Sequence, residues 1–140
     1  MATPTGHDWG VWGDTIASTA LTQGGTVLAV SASAVDLDIK SACEVSVSAA
    51  YDAAALVAGT GLYVYVCRDT DGTNYEDIPD APWGFVMKHT ASNTRLKTFS
   101  VDPGSVGSFK IRLSWTNSTA SAAVTCVVKV RTAAVPIAVA

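Results

Sequence analysis

Phe109-Lys110-Ile111-Arg112-Leu113-Ser114-Trp115 is the stretch on which the fold class turns. Large apolar residues take every second position, and Lys110, Arg112 and Ser114 fill the gaps. That is the period of a strand with one dry and one wet face. A helix with its 3.6-residue period would drive a cation into the apolar stripe. Downstream, Val124, Cys126, Val128 and Val130 alternate with Thr125, Val127, Lys129 and Arg131 in the same way. The polar Thr116–Ser121 segment between the two runs predicts that they form an antiparallel hairpin.

Working back toward the N-terminus, the same alternation recurs. Phe99 and Val101 alternate with Thr98 and Ser100 and stop at Asp102-Pro103-Gly104. Cys43, Val45, Val47, Ala49 and Tyr51 alternate with Glu44, Ser46 and Ser48. Val35, Leu37 and Ile39 alternate with Asp36 and Asp38, which predicts one buried and one wet face. Lys40-Ser41-Ala42 between these two runs is a turn or a bulge. Leu62–Arg68 is apolar or aromatic on both faces, as a central strand covered on both sides would be. Thr26–Val30, Phe85–Lys88 and, more weakly, Thr15–Leu21 complete seven to nine short strands. Ala53–Ala58 is either one helical turn or a small-residue loop. The sum predicts an all-β chain, a single antiparallel β-sandwich or jelly-roll. It divides into an N-terminal arm (1–14), the sandwich (15–132) and an apolar C-terminal tail (133–140).

Composition agrees. The chain has 140 residues, enough for one domain, and 49% of them are hydrophobic, so a core can form. Ala and Val dominate that fraction, with Ser and Thr beside them, which suits pleated surfaces better than helices. The net charge is −3 and the nine cations are scattered, so the electrostatic footprint of a nucleic-acid binder is missing. The uncharged run Thr132–Ala140 is too short to span a bilayer. Residues 1–13 have neither the basic nor the apolar region of a secretory signal. Cys43, Cys67 and Cys126 each fall among valines, which predicts buried free thiols; one disulfide with a leftover thiol is the alternative.

Candidate sites are few. Five acidic residues and Asn74 lie between Asp69 and Asp80, but Gly72 and Asn74 stand at the wrong positions for an EF-hand loop. Asp71-Gly72 reads better as a hairpin turn, with a calcium site of another kind the weaker reading. His7 and His89 are the only histidines, and no serine sits in a nucleophile elbow, so no enzyme is expected. No cofactor or metal is implied. Trp83, flanked by Pro82 and Gly84, could with Asp71, Asn74, Tyr75 and Asp80 form a ligand-facing loop. Trp9 and Trp12 in the irregular arm are costly to leave in water, so burial against the domain or another subunit is expected. With Val135, Ile137 and Val139 of the tail they form the candidate assembly interface.

Gly61–Glu76, an aromatic strand running into Asp71-Gly72-Thr73-Asn74-Tyr75, and Phe99–Gly104 together resemble small virion proteins of tailed bacteriophages. These include capsid decoration (cement) proteins and small tail or head-fibre proteins. The resemblance covers about a third of the chain and transfers no functional residue. It implies a non-enzymatic structural protein, foremost a capsid decoration protein, made in the host cytoplasm and ending in the virion. Its partners would be itself, as a homo-oligomer such as a trimer, and a capsid or other virion protein, without nucleic acid or membrane. A carbohydrate- or receptor-binding β-sandwich is the alternative.

Overall fold

A computed structural model describes residues 8–21, 25–30, 33–51, 61–69, 71–76, 84–88, 94–104, 106–117 and 124–135. Among these are nine strands and no helix: β1 (Gly13–Leu21), β2 (Gly25–Val30), β3 (Val35–Asp36), β4 (Lys40–Tyr51), β5 (Gly61–Arg68), β6 (Gly84–Lys88), β7 (Thr94–Ser100), β8 (Ser108–Asn117) and β9 (Val124–Ala134). Expected site residues Asp80, Trp83, Ile137 and Val139, and the Ala53–Ala58 segment, lie outside the described residues.

The pairings form one long ribbon. β5 pairs with β6, β4 with β7, β2 with β8 and β1 with β9, all antiparallel, so the two halves of the chain run back along each other. Rolling that ribbon brings β9 against β4 and β8 against β5. The result is one sheet ordered β1-β9-β4-β7 and a second ordered β2-β8-β5-β6, with β3 beside β8. This is the jelly-roll arrangement, two antiparallel sheets built from nested ribbons.

The alternating residues point inward from both sheets. Trp115, Phe109, Leu62, Ile111 and Leu113 of one sheet meet Val45, Val47, Val124 and Val128 of the other, all fully buried. Tyr51 bolts the sheets together. Its hydroxyl donates to the Met87 carbonyl and accepts from Leu62 N–H at 3.3 Å, so a β4 side chain holds the β5 and β6 backbones.

Three expectations need correction. β8 and β9 are not a hairpin: they belong to opposite sheets. Alternation fixes which side chains face inward but not which strand is the neighbour. Six intervening residues span up to ~20 Å when extended, enough to cross the ~10 Å between packed sheets. The Val35–Ile39 run is strand only at Val35–Asp36. Leu37 is buried, but Ile39 is 77% exposed at φ 52°. There the chain turns from one sheet to the other, with Lys40 N–H donating to the Leu37 carbonyl at 3.1 Å and Asp38 N–H to Asp36 Oδ1 at 2.9 Å. The Lys40–Ala42 step that follows is a bulge. β5 does lie inside its sheet, between β8 and β6, but its outer face is partly open at Tyr63 and Tyr65.

All three cysteines are buried and free. β1 begins two residues before the boundary drawn at 15, and β9 runs two residues past the one drawn at 132.

Candidate functional site

The two ends of the described chain meet on the β1–β9 side of the first sheet. Trp9 forms an isolated antiparallel bridge with Ala133, and Gly10 N–H donates to the Thr132 carbonyl at 2.9 Å. The described part of the arm is thus laid along β9. Its two indoles grip one cation: the Arg131 guanidinium lies 4.3 Å from the Trp9 ring centroid and 4.8 Å from that of Trp12. Glu44 on β4 takes the edge of that guanidinium, its Oε1 accepting from Nη2 at 2.5 Å and from Nε at 3.2 Å. Arginine suits this stack because its planar, weakly hydrated head packs on aromatic faces while its N–H groups still reach a carboxylate.

The other end is tied down next to it. Val135 N–H donates to the Ile39 carbonyl at 3.1 Å, and Ser41 Oγ donates to the Ala134 carbonyl at 3.1 Å. A shallow groove of about 380 Å³ beside the stack is lined by Val11, Asp14, Val35, Asp36 and Arg131. Another of about 400 Å³ is lined by Trp9, Glu44, Val101, Asp102 and Pro103. Seven large apolar side chains are exposed among the described residues, and four belong to this corner: Val11 at 91%, Ile39 at 77%, Val135 at 48% and Trp12 at 37%. The structure therefore brings Trp9, Trp12 and Val135 together. It adds Val11, Ile39, Arg131 and Glu44, which the sequence reading passed over. Val11, lying between the two tryptophans, was the available signal for the first of these. Ile39 was hidden because its alternation with Asp36 and Asp38 mimicked a strand.

The 69–76 loop is a closed turn. Asp69 and Tyr75 bridge, and Glu76 N–H donates to the Arg68 carbonyl at 2.9 Å. Asp69 Oδ1 accepts from Gly72 N–H at 2.6 Å, and Asp71 Oδ1 accepts from Asn74 N–H at 2.7 Å. Asn74 Nδ2 donates to Asp71 Oδ2 at 2.7 Å. These bonds, the one from Asn74 N–H foremost, hold the Asp71 carboxyl below its ordinary value. Gly72 supplies the φ of 84° that the turn requires. The carboxylates thus serve the backbone of their own turn, and positive φ falls on Gly72 but not on Asp71, so this is not the type I′ turn that Asp71-Gly72 suggests. Tyr75 lies half-buried, its hydroxyl 3.1 Å from Ser108 Oγ and its ring centroid 5.0 Å from Lys110 Nζ. Among the described residues no three His, Cys, Asp or Glu side chains gather to hold a metal ion. No described helix is long and apolar enough to cross a membrane.

A second exposed area lies across the molecule. Tyr63 is paired with Val86 on the outer face of the second sheet, and both are more than a third exposed. Tyr63 and Tyr65 stack with ring centroids 6.4 Å apart and planes 12° apart. Around the sheet edge, a groove of about 490 Å³ between β6 and β7 is lined by Phe85, Val86, Met87, Arg95, Leu96 and Lys97. Leu96 is 69% exposed. An isolated leucine between two cations was the sequence signal here.

No protein-family model matches the chain, and no curated protein matches it in sequence. Among solved structures it is similar to a Family 16 Carbohydrate Binding Module-2, at 12% identity over 78% of this chain and 71% of that one, with a TM-score of 0.48. It is also similar to the coat protein of Tobacco streak virus, at 12% identity over 100% of this chain and 95% of that one, with a TM-score of 0.35. Likeness at this level says nothing of what the chain binds.

Proposed function

We propose that this chain is a non-enzymatic structural subunit of a tailed-phage virion, foremost a capsid decoration protein, and that it assembles through the corner where its two ends meet. One observation carries the reading. Val11, Trp12, Ile39 and Val135 are all exposed on the segments that flank the end of β9, where Gly10 N–H is held by the Thr132 carbonyl and Val135 N–H by the Ile39 carbonyl. Apolar side chains exposed along one rim cost solvation free energy in a monomer, and a partner surface removes that cost. The resemblance of Gly61–Glu76 and Phe99–Gly104 to small virion proteins supports the choice of partner, itself and a capsid or other virion protein, and the virion as location.

The test is the solution mass of the intact chain beside Val11→Asp/Trp12→Ser, by light scattering after size-exclusion. Substitution is preferable to removing residues 1–14, because β1 begins at Gly13. The reading expects an oligomer that the double variant reduces to monomer. A compact monomer for the intact chain at every accessible concentration would defeat it.

A second reading, a carbohydrate- or receptor-binding module, is favoured by the stacked Tyr63–Tyr65 pair on an open sheet face. It expects a glycan-array signal that Tyr63→Ala abolishes, and it falls if the intact chain gives none.

A further inference from the structure

We infer that the copies join head to tail, the apolar corner of one chain seating in the β6–β7 groove of the next. This rests on the reading of that corner as an assembly surface and names its partner: a second copy of this chain.

Position comes first. The corner sits on β1, β9 and the first residues of β4, whereas Leu96 is in register with Ser48, eight residues further along β4 on the opposite edge of the sheet. Eight strand residues cover ~26 Å, so the two surfaces of one chain lie at opposite corners and do not meet.

The two surfaces also differ in shape. At the corner Val11 and Ile39 are the two most exposed side chains, open to a partner surface. The groove recedes between two sheet edges and is lined by Phe85 and the buried Met87 of β6 and by Arg95, Leu96 and Lys97 of β7.

They differ in charge as well. Asp8, Asp36 and Asp38 lie exposed around the corner, with the half-buried Lys40 beside them. Its cations are partly spent internally, Arg131 on Glu44 and Lys129 on Asp14 at 3.6 Å. The groove's lining carries Arg95 and Lys97 and no acid. Two copies placed β7 to β7 would set those cations against each other, the device by which sheet edges avoid self-pairing. An acid-rimmed apolar knob suits the same edge. Because knob and groove differ, the contact is heterologous, closing into a ring or continuing as a chain.

The experiment uses the full chain in three forms: intact, a groove variant (Leu96→Asp/Lys97→Glu) and a corner variant (Val11→Asp/Asp38→Lys). Circular dichroism first checks that both variants keep the intact chain's fold. The inference expects each variant alone to self-associate at least tenfold more weakly than the intact chain. Mixed, the two should give a one-to-one dimer and nothing larger, since only one good knob and one good groove remain. If the groove variant assembles like the intact chain while the corner variant does not, the corner remains an assembly surface and the head-to-tail pairing is overturned. Failure of the mixture to dimerise overturns it as well. If neither variant changes the intact chain's mass, both readings fall.

Discussion

Ile39 places a β-branched side chain at φ 52° and leaves it 77% exposed. Left-handed backbone costs an L-residue roughly 1–2 kcal/mol, and Asn tolerates it better. Ile39→Asn should therefore raise the stability of dilute monomer by about 1 kcal/mol while weakening self-association. Urea unfolding read beside light scattering checks both, and a variant no more stable than the parent would show that the turn is not strained. Tyr51 makes the opposite case. Removing its hydroxyl leaves the Met87 carbonyl and Leu62 N–H without that partner between the sheets, so Tyr51→Phe should cost about 1–3 kcal/mol. The shift should appear in the urea midpoint with an unchanged slope. Glu76 supplies a pH-dependent term. Hydrogen bonds from the Arg68 side chain, then from its N–H, hold the Glu76 carboxyl below the ordinary range. A depressed folded-state value stabilises above the unfolded value and is lost as pH falls through the folded one. Arg68 is 40% exposed, so solvent screening limits the pair to at most about 1 kcal/mol. The stability gap between the parent and Glu76→Gln should close as pH falls below the ordinary glutamate value and through the lower folded-state one. A gap that persists at the acid end would reject the pairing as its source.

At the scale of the element, β6 shows how little room an edge strand leaves. Gly84 faces Tyr65, and a Cβ placed there would lie 2.6 Å from Tyr65 Cδ1 and 2.8 Å from the Val64 carbonyl oxygen. The ring could swing aside, but the backbone oxygen could not. Gly84→Ala should cost about 1–3 kcal/mol and raise amide exchange in β6 before the rest of its sheet. Uniform protection, unchanged from the parent, would contradict the clash. β7 differs in kind, since its residues from Thr94 to Thr98 are all exposed. An edge so wetted contributes little core, which frees it for contact with a neighbour.

Over the whole molecule, the ribbon makes folding a single long-range event, because Gly13 must find Val130 and Leu21 must find Val124. The three cysteines report on it from both sheets, Cys43 and Cys126 in the first and Cys67 in the second. Burial pushes the Cys43 and Cys126 thiols up to about 12, with Glu44 adding to the effect at Cys43. A thiol reagent at mildly alkaline pH should find no reactive thiolate in the native state. All three should label together at the rate of global unfolding. Early labelling of one alone would mean that its sheet opens independently.

Much of this was legible in the residues. Alternation at Phe109–Trp115 and Cys43–Tyr51 determined the strands and their inward faces, because burial acts on every second side chain whatever the partner strand. Valine-rich surroundings marked the three thiols as core, and Asp71-Gly72 marked the turn, since both depend on local chemistry. Strand pairing was not legible. Whether β8 meets β9 or β5 depends on where the connection crosses, and side-chain period is the same in either case. The corner and the groove were hidden for the same reason. Trp12, Ile39 and Val135 are remote in sequence, as are Val86 and Leu96 from the corner, and only the rolled ribbon brings each set together and holds the two sets apart.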